Sequence, residues 1–210
     1  MWWERVHLSA IAIQRLTSES VQPAAQLLAG SMRDNPLHRR VFGDDEAQLA
    51  RLLATAFARL LQRQLRSGLV LGAFDGATLV GVAAMVPPGH CQSPLQEKLS
   101  MLAILAREGL LRRLPDIHQW LRIWARQDPA SDHWHLGPAA VDRGRQGQGI
   151  GTALMRAICD ELDQRQAVGY LETDKRRNVV LYRRGGFAVV VERPVLGVTN
   201  WFMLRQPPHA

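Results

Sequence analysis

Cysteine and lysine are scarce in this chain of 210 residues, which has two of each. The cysteines, Cys91 and Cys159, lie far apart, so they offer neither a disulfide framework nor the paired spacing of a zinc site. No apolar run reaches the roughly 20 residues that a membrane-spanning helix needs. The opening segment, MWWERVHLSA, contains an acid and a base and differs from a secretory signal peptide. We therefore expect a cytoplasmic protein with no membrane partner.

Because lysine is scarce, the net charge of +7 comes almost entirely from arginine. An arginine excess suits nucleic acid, a phosphorylated cofactor or an acidic partner. It also suits a genome rich in G and C, which encodes arginine where other genomes encode lysine. The arginines are scattered along the whole chain, which favours this second explanation. No basic run exceeds three residues and no recognition motif is present, so the sequence argues against nucleic acid as a partner.

Hydrophobic periodicity predicts an α/β fold with a mixed sheet in one domain, residues 1–210. Strand and helix patterns alternate along the chain, and the Asp75-Gly76 dipeptide suits a tight hairpin between two strands. In the strand pattern at 133–141, Pro138 cannot donate to a ladder, which indicates a bulge. Predicted strands lie at 8–16, 69–74, 78–86, 133–141, 169–173, 187–192 and 199–205, and predicted helices at 20–32, 44–68, 94–126 (two, split near 114–115), 150–166 and 176–184.

The segment DRGRQGQGIGTALMRAI, residues 142–158, places four glycines in front of a predicted helix. Glycines let backbone N–H groups approach a ligand closely, and the unpaired amides of a helix start favour an anion such as phosphate. A P-loop is excluded because Gly149 is followed by Ile150 and not by lysine. A dinucleotide fingerprint is incomplete, since Thr152 stands at its third glycine.

The same loop fits the pattern Gln/Arg-x-x-Gly-x-Gly/Ala through Gln146, Gly149 and Gly151. Here the chain resembles the GNAT acetyltransferase superfamily, whose loop of this form binds the pyrophosphate of coenzyme A. YLETDKRRNVVLYRRGGF, residues 170–187, resembles the family's second signature. The strand HWHLGPAAVD and the ending NWFMLR also resemble the bacterial branch that includes puromycin N-acetyltransferase. The resemblance is strong over residues 133–205 and weak before them.

The resemblance implies a GNAT-like sheet, mixed and mostly antiparallel, that splays between its fourth and fifth strands and is flanked by helices. It leaves residues 94–126 as a helical insertion. It also implies an acetyl-CoA-dependent N-acetyltransferase that moves an acetyl group to a primary amine by direct attack in a ternary complex. The acceptor is an unidentified small molecule. A noncatalytic acyl-CoA-binding module and a protein N-terminal or lysine acetyltransferase stay open, as does homodimerisation.

Residue roles follow from the same resemblance. Tyr182 matches the general acid that protonates the departing thiolate, and Asn178 would bond the pantetheine. One backbone amide near Ala140 or Val141 would polarise the thioester carbonyl. Arg143 and Arg145 flank the phosphate loop, while the run 175–177 could attract the 3′-phosphate. The full predicted cofactor set is Ala140, Val141, Arg143, Gln146, Gly147, Gln148, Gly149, Ile150, Gly151, Thr152, Asn178 and Tyr182.

A proton acceptor is also needed, because only an uncharged amine attacks a thioester. Glu172, at the end of its strand beside the splay, is the first candidate, with His133 and His135 behind it. A strand-end glutamate is often only solvated, a lone histidine is more often structural, and a chain of water molecules could serve instead. The sequence shows no metal-ligand cluster, so we expect neither a metal nor a nicotinamide cofactor.

Overall fold

The computed structural model describes residues 11–92 and 94–208. The opening segment MWWERVHLSA, and with it the first residues of the predicted strand at 8–16, lies outside these ranges. Seven strands of the described chain form one sheet in the order β1-β2-β3-β4-β5-β7-β6. Neighbouring strands are antiparallel except β4 and β5, which are parallel. The strands are β1 (Ala12–Arg15), β2 (Leu69–Asp75), β3 (Thr78–Val86), β4 (Trp134–Val141), β5 (Gly169–Thr173), β6 (Ala188–Val195) and β7 (Val198–Arg205).

Helices cover both faces of this sheet. Apolar side chains of α6 and α7, such as Leu154, Ile158 and Val179, form one core against β2 to β5. The helices α1, α3 and α4 form a second core on the opposite face, where α2 and α5 pack beside them. Within the described residues the helices are α1 (Val21–Met32), α2 (Pro36–Phe42), α3 (Glu46–Ser67), α4 (Leu95–Arg107), α5 (Leu114–Ala125), α6 (Ile150–Gln164) and α7 (Arg176–Arg184).

The predicted fold class is confirmed, including the helical insertion, which consists of α4 and α5. The predicted bulge is also present: Leu136 pairs with Met85 and Ala139 with Ala83, so two residues of β4 face one residue of β3. Trp120 and Trp124 pack edge to face with ring centroids 5.2 Å apart, as a core stripe of α5 should. None of the described helices has the length and apolar character needed to cross a membrane.

One helix is missing from the sequence prediction. Asp34-Asn35-Pro36 has the composition of a turn, and the sequence predicts no helix between residues 32 and 44, yet α2 begins at Pro36 with Asn35 as its N-cap. Proline is favoured at the first helical position because its absent N–H would have no partner there, so a helix start explains the segment as well as a turn does.

Candidate functional site

The sheet opens between β4 and β5 because these strands pair at only two positions. Trp134 pairs with Gly169 and His135 with Tyr170, and beyond them the strands diverge. The opening leads into a cavity of about 520 Å³ between α1, β4, α6 and α7. The unpaired edge of β4 therefore presents backbone groups to a ligand in the place where a neighbouring strand would otherwise lie. Ala139, Ala140 and Val141 line the cavity from this edge.

The glycine loop forms one end of the cavity. Gly147 and Gly149 have φ of +80° and +83°, a left-handed backbone that glycine adopts without strain. Gly149 is the N-cap of α6, so this helix begins without a capping side chain. The first intrahelical bond runs from the Ala153 amide to the Gly149 carbonyl, 3.0 Å apart. The amides before Ala153 in the first turn are therefore available for an anion.

The cavity is basic. Arg145, Lys175, Arg177 and Arg184 line it, and no acidic side chain of the described residues does. Lys175 Nζ lies 2.6 Å from an oxygen of Asp34, which fixes the position of the ammonium. Burial opposes ionisation of Asp34, but Lys175 and Arg143 outweigh it and lower the pKa of this carboxyl. A phosphorylated ligand would thus meet cations that are already positioned.

Two side chains of α7 face the cavity from the β5 side. Tyr182 and Asn178, one turn apart, both line it. Asn178 Nδ2 donates to Thr173 Oγ1 at 3.2 Å, which orients the amide. Burial, reinforced by the charge of Glu172, raises the pKa of Tyr182 to about 12. The phenol therefore keeps its proton at neutral pH and can donate it.

Most of the predicted cofactor residues come together around this cavity. Arg143 and Gln148 do not line it: Arg143 lies 3.7 Å from Asp34, and Gln148 Nε2 donates to the Gly144 carbonyl at 3.5 Å. Arg145 does line it. The predicted residues in the lining are Ala140, Val141, Gln146, Gly147, Gly149, Ile150, Gly151, Thr152, Asn178 and Tyr182.

The three candidate bases lie together at the point where β4 and β5 separate, and none of them lines the cavity. His135 Nε2 lies 2.8 Å from Glu172 Oε2, and the Glu172 side chain is only 4% exposed. The rings of His133 and His135 have centroids 6.4 Å apart. Burial disfavours the imidazolium of His135, but the Glu172 carboxylate outweighs it and raises the pKa of His135 to about 10. Glu172 and His135 thus form a buried ion pair.

Two residues that the sequence did not indicate complete this group. Cys91 Sγ lies 3.6 Å from His133 Nε2, and Asp128 Oδ1 lies 3.9 Å from His135 Nδ1. Burial opposes ionisation of the Cys91 thiol, but its contacts with both histidines lower its pKa to about 7. We call Cys91, Asp128, His133, His135 and Glu172 the Cys-His cluster. No local spacing signals this cluster, because 42 residues separate Cys91 from His133.

A mixed sheet that splays between its fourth and fifth strands, with a glycine loop at the opening, is the architecture that the resemblance to the GNAT superfamily implies. A model of the Acetyltransferase (GNAT) family matches residues 37–187. The chain belongs to this family.

Solved structures with the same fold cover nearly the whole chain. An acetyltransferase from Corynebacterium glutamicum, described as histone acetyltransferase HPA2 and related acetyltransferase, is 18% identical with a TM-score of 0.66, covering 95% of this chain and 98% of its own. The Drosophila melanogaster polyamine N-acetyltransferase, which forms N-acetylagmatine, is 14% identical with a TM-score of 0.63, covering 93% and 99%. The putative acetyltransferase yncA from Salmonella typhimurium, solved with acetyl-CoA, is 15% identical with a TM-score of 0.54, covering 96% of each chain.

Proposed function

We propose that the whole chain is one acetyltransferase domain that transfers the acetyl group of acetyl-CoA to a primary amine of a small molecule, by direct attack in a ternary complex. The observation that carries this proposal is the cavity at the opening of the sheet. It joins an uncapped helix start, four basic side chains and a protonated phenol. The neighbour with bound acetyl-CoA and the neighbour that acetylates agmatine support the two substrates.

The cavity residues divide the binding of acetyl-CoA among them. The amides of residues 146–152 hold the pyrophosphate at the start of α6, and Arg145, Lys175 and Arg177 add positive charge. The open edge of β4 at Ala140 and Val141 bonds the pantetheine from one side, and Asn178 bonds it from the other. One amide of this edge polarises the thioester carbonyl, as an oxyanion hole does.

Acetyl-CoA supplies an acetyl group that is already activated as a thioester. Glu172 accepts, through ordered water, the proton that the amine nitrogen loses as its bond to the carbonyl carbon forms, because this carboxylate lies where β4 and β5 separate and does not line the cavity. His135 holds the Glu172 carboxylate in place. Tyr182 donates its phenolic proton to the sulfur as the carbon–sulfur bond breaks, so that neutral coenzyme A leaves. These steps require proton transfers by side chains and no metal chemistry.

The finer assignments rest on sequence. The strand HWHLGPAAVD and the ending NWFMLR support membership of the bacterial branch that includes puromycin N-acetyltransferase. The absence of a sustained apolar run supports a cytoplasmic site of action.

Calorimetry of acetyl-CoA binding tests the phosphate loop. Gly149→Asp places a carboxylate beside the amides of the helix start, so we expect acetyl-CoA affinity to fall by about 10- to 100-fold, the value of one charge-assisted hydrogen bond. Gly149→Ala is the matched control, because it adds the same strain at φ +83° without the charge. Equal affinity for wild type and Gly149→Asp would contradict the assignment of the loop.

A panel of amines, assayed for thiol release from acetyl-CoA, separates an enzyme from a binding module. Release that depends on a polyamine or another small amine supports the proposal. Release that depends only on a peptide N-terminus or lysine would assign the chain to protein acetylation. Tight binding without release from any acceptor would indicate a noncatalytic module.

A further inference from the structure

Cys91, His133 and His135 have the geometry of a metal site. The Cys91 sulfur and one ring nitrogen from each histidine all lie within 4.8 Å of one another. In a tetrahedral zinc site, bonds of about 2.3 Å to sulfur and 2.0 Å to nitrogen place neighbouring ligand atoms about 3.3–3.5 Å apart. The distance of 3.6 Å between Cys91 Sγ and His133 Nε2 already matches that edge.

Both histidines are oriented as metal ligands are. A metal-binding histidine usually donates its second ring N–H to a carbonyl or carboxylate, which fixes the tautomer. His133 Nδ1 lies 2.9 Å from the Ser131 carbonyl, which leaves Nε2 for the site. His135 Nε2 lies 2.8 Å from Glu172 Oε2, a close ion-pair contact, which leaves Nδ1 for a metal that would displace the proton of this nitrogen. That Nδ1 is buried and finds no hydrogen-bond partner in the described part of the chain.

Asp128 can supply the fourth ligand. Its Oδ1 lies 3.9 Å from His135 Nδ1, and its Oδ2 accepts a hydrogen bond of 2.7 Å from Gln92 Nε2. One thiolate, two imidazoles and one carboxylate are all ligands of zinc, and a soft thiolate among them disfavours Mg²⁺ and Ca²⁺. We propose that Cys91, Asp128, His133 and His135 bind one Zn²⁺ ion, with Glu172 as the carboxylate behind His135.

The position of these residues gives the ion a structural role. Cys91 lies in the connection that leads from β3 into α4, and Asp128 lies in the connection that leads from α5 back to β4. His135 is the second residue of β4, and His133 directly precedes this strand. Zinc would therefore fasten both ends of the helical insertion to the central sheet, beside the opening between β4 and β5. This role is independent of acetyl-CoA binding.

Cobalt substitution tests the site directly on the full chain. The protein is treated with chelator, desalted and titrated with Co²⁺ and then Zn²⁺ alone. We expect one equivalent of Co²⁺ to produce a thiolate-to-cobalt charge-transfer band and tetrahedral d–d bands, and Zn²⁺ to remove both. Cys91→Ser should abolish the charge-transfer band and weaken Zn²⁺ binding by more than about 100-fold, because it deletes a direct ligand. Wild type without a charge-transfer band would overturn the proposal.

Two further variants make the result specific. Cys159→Ser is the matched control, since Cys159 is the second cysteine, lies in α6 and donates to the Gly185 carbonyl, which serine can also do. It should keep the full cobalt spectrum, and loss of the band here would overturn the assignment to Cys91. Glu172→Gln should weaken Zn²⁺ binding by about 10- to 100-fold, as expected for a residue that supports a ligand. Unchanged affinity in this variant would contradict the role of Glu172 behind His135.

Discussion

Tyr182 is the residue on which the proposed chemistry can be tested most directly. Tyr182→Phe keeps the ring, which packs edge to face on Phe187 with centroids 6.3 Å apart, and removes only the hydroxyl. We expect kcat to fall by about 10²- to 10⁴-fold, the usual value of general acid catalysis, while acetyl-CoA affinity and folding stay at wild-type levels. Steady-state kinetics with an established amine, together with calorimetry, measure both quantities.

The raised pKa of Tyr182 adds a requirement on pH. A phenol whose pKa is about 12 remains protonated below that pH, so the loss in Tyr182→Phe should be the same at pH 7 and at pH 9. A loss that disappears at pH 9 would show that a group of lower pKa is the acid. If Tyr182→Phe turned over within about threefold of wild type while chemistry was rate-limiting, Tyr182 would have only a packing role.

The sequence was enough to predict many of the residues that line the cavity, but not which residues form the Cys-His cluster. Gln146, Gly149, Gly151, Asn178 and Tyr182 belong to two local motifs whose spacing is fixed by one helix start and one helix face, so sequence was enough to bring them to one cavity. The Cys-His cluster depends on where the helical insertion returns to β4. That return is set by tertiary packing, and no local spacing records it.

At the scale of elements, replacing two different glycines by alanine should change the free energy of unfolding in opposite directions. A Cβ at Gly68, between α3 and β2, would lie 2.3 Å from the Met85 carbonyl oxygen and 3.2 Å from Val86 Cα, both backbone atoms of β3. Gly68→Ala must therefore displace β3 or the end of α3, and we expect it to lower the free energy of unfolding by about 1–3 kcal/mol or more.

Gly30 in α1 is the matched control, because a Cβ there meets no atom of the described residues within 4 Å. Gly30→Ala should raise the free energy of unfolding by about 0.5–1 kcal/mol, since alanine loses less backbone entropy in a helix. Urea unfolding of both variants measures the two signs. Equal effects at the two positions would show that β3 does not approach Gly68 this closely.

Long elements with strong periodicity were predictable, and short ones were not. α3 has acids at its start, an apolar stripe and Gly68 at its end, and the structure begins it with the Asp45 side chain accepting from the Gln48 amide at 2.9 Å. α2 has seven residues, too few for a periodic pattern. It packs through Leu37 and Val41 against a core that includes Tyr170 and Phe202, which are distant in sequence.

At the scale of the whole molecule, the basic residues behind the net charge of +7 are unevenly distributed. Many arginines lie in ion pairs, such as Arg39 with Asp44 on the surface and the mostly buried Arg205 with Asp163. The lining of the cavity is basic and its described residues include no acid, while two of its cations, Lys175 and Arg145, pair with acids outside the lining. Basic side chains therefore concentrate at this cavity, as a phosphorylated cofactor, one of the partners that suit an arginine excess, would require.

Ligand binding to this cavity should stabilise the whole fold. A ligand present at 100 times its Kd adds about 2.7 kcal/mol to the stability of the native state. For a chain of this size each kcal/mol raises Tm by about 2–4 °C, so acetyl-CoA should raise Tm by about 5–11 °C. Differential scanning calorimetry measures the shift, and Gly149→Asp at the same acetyl-CoA concentration should show little of it. Because the cavity is basic, 0.5 M salt should shrink the wild-type shift by screening. A shift that is identical in Gly149→Asp would mean that acetyl-CoA binds elsewhere on the molecule.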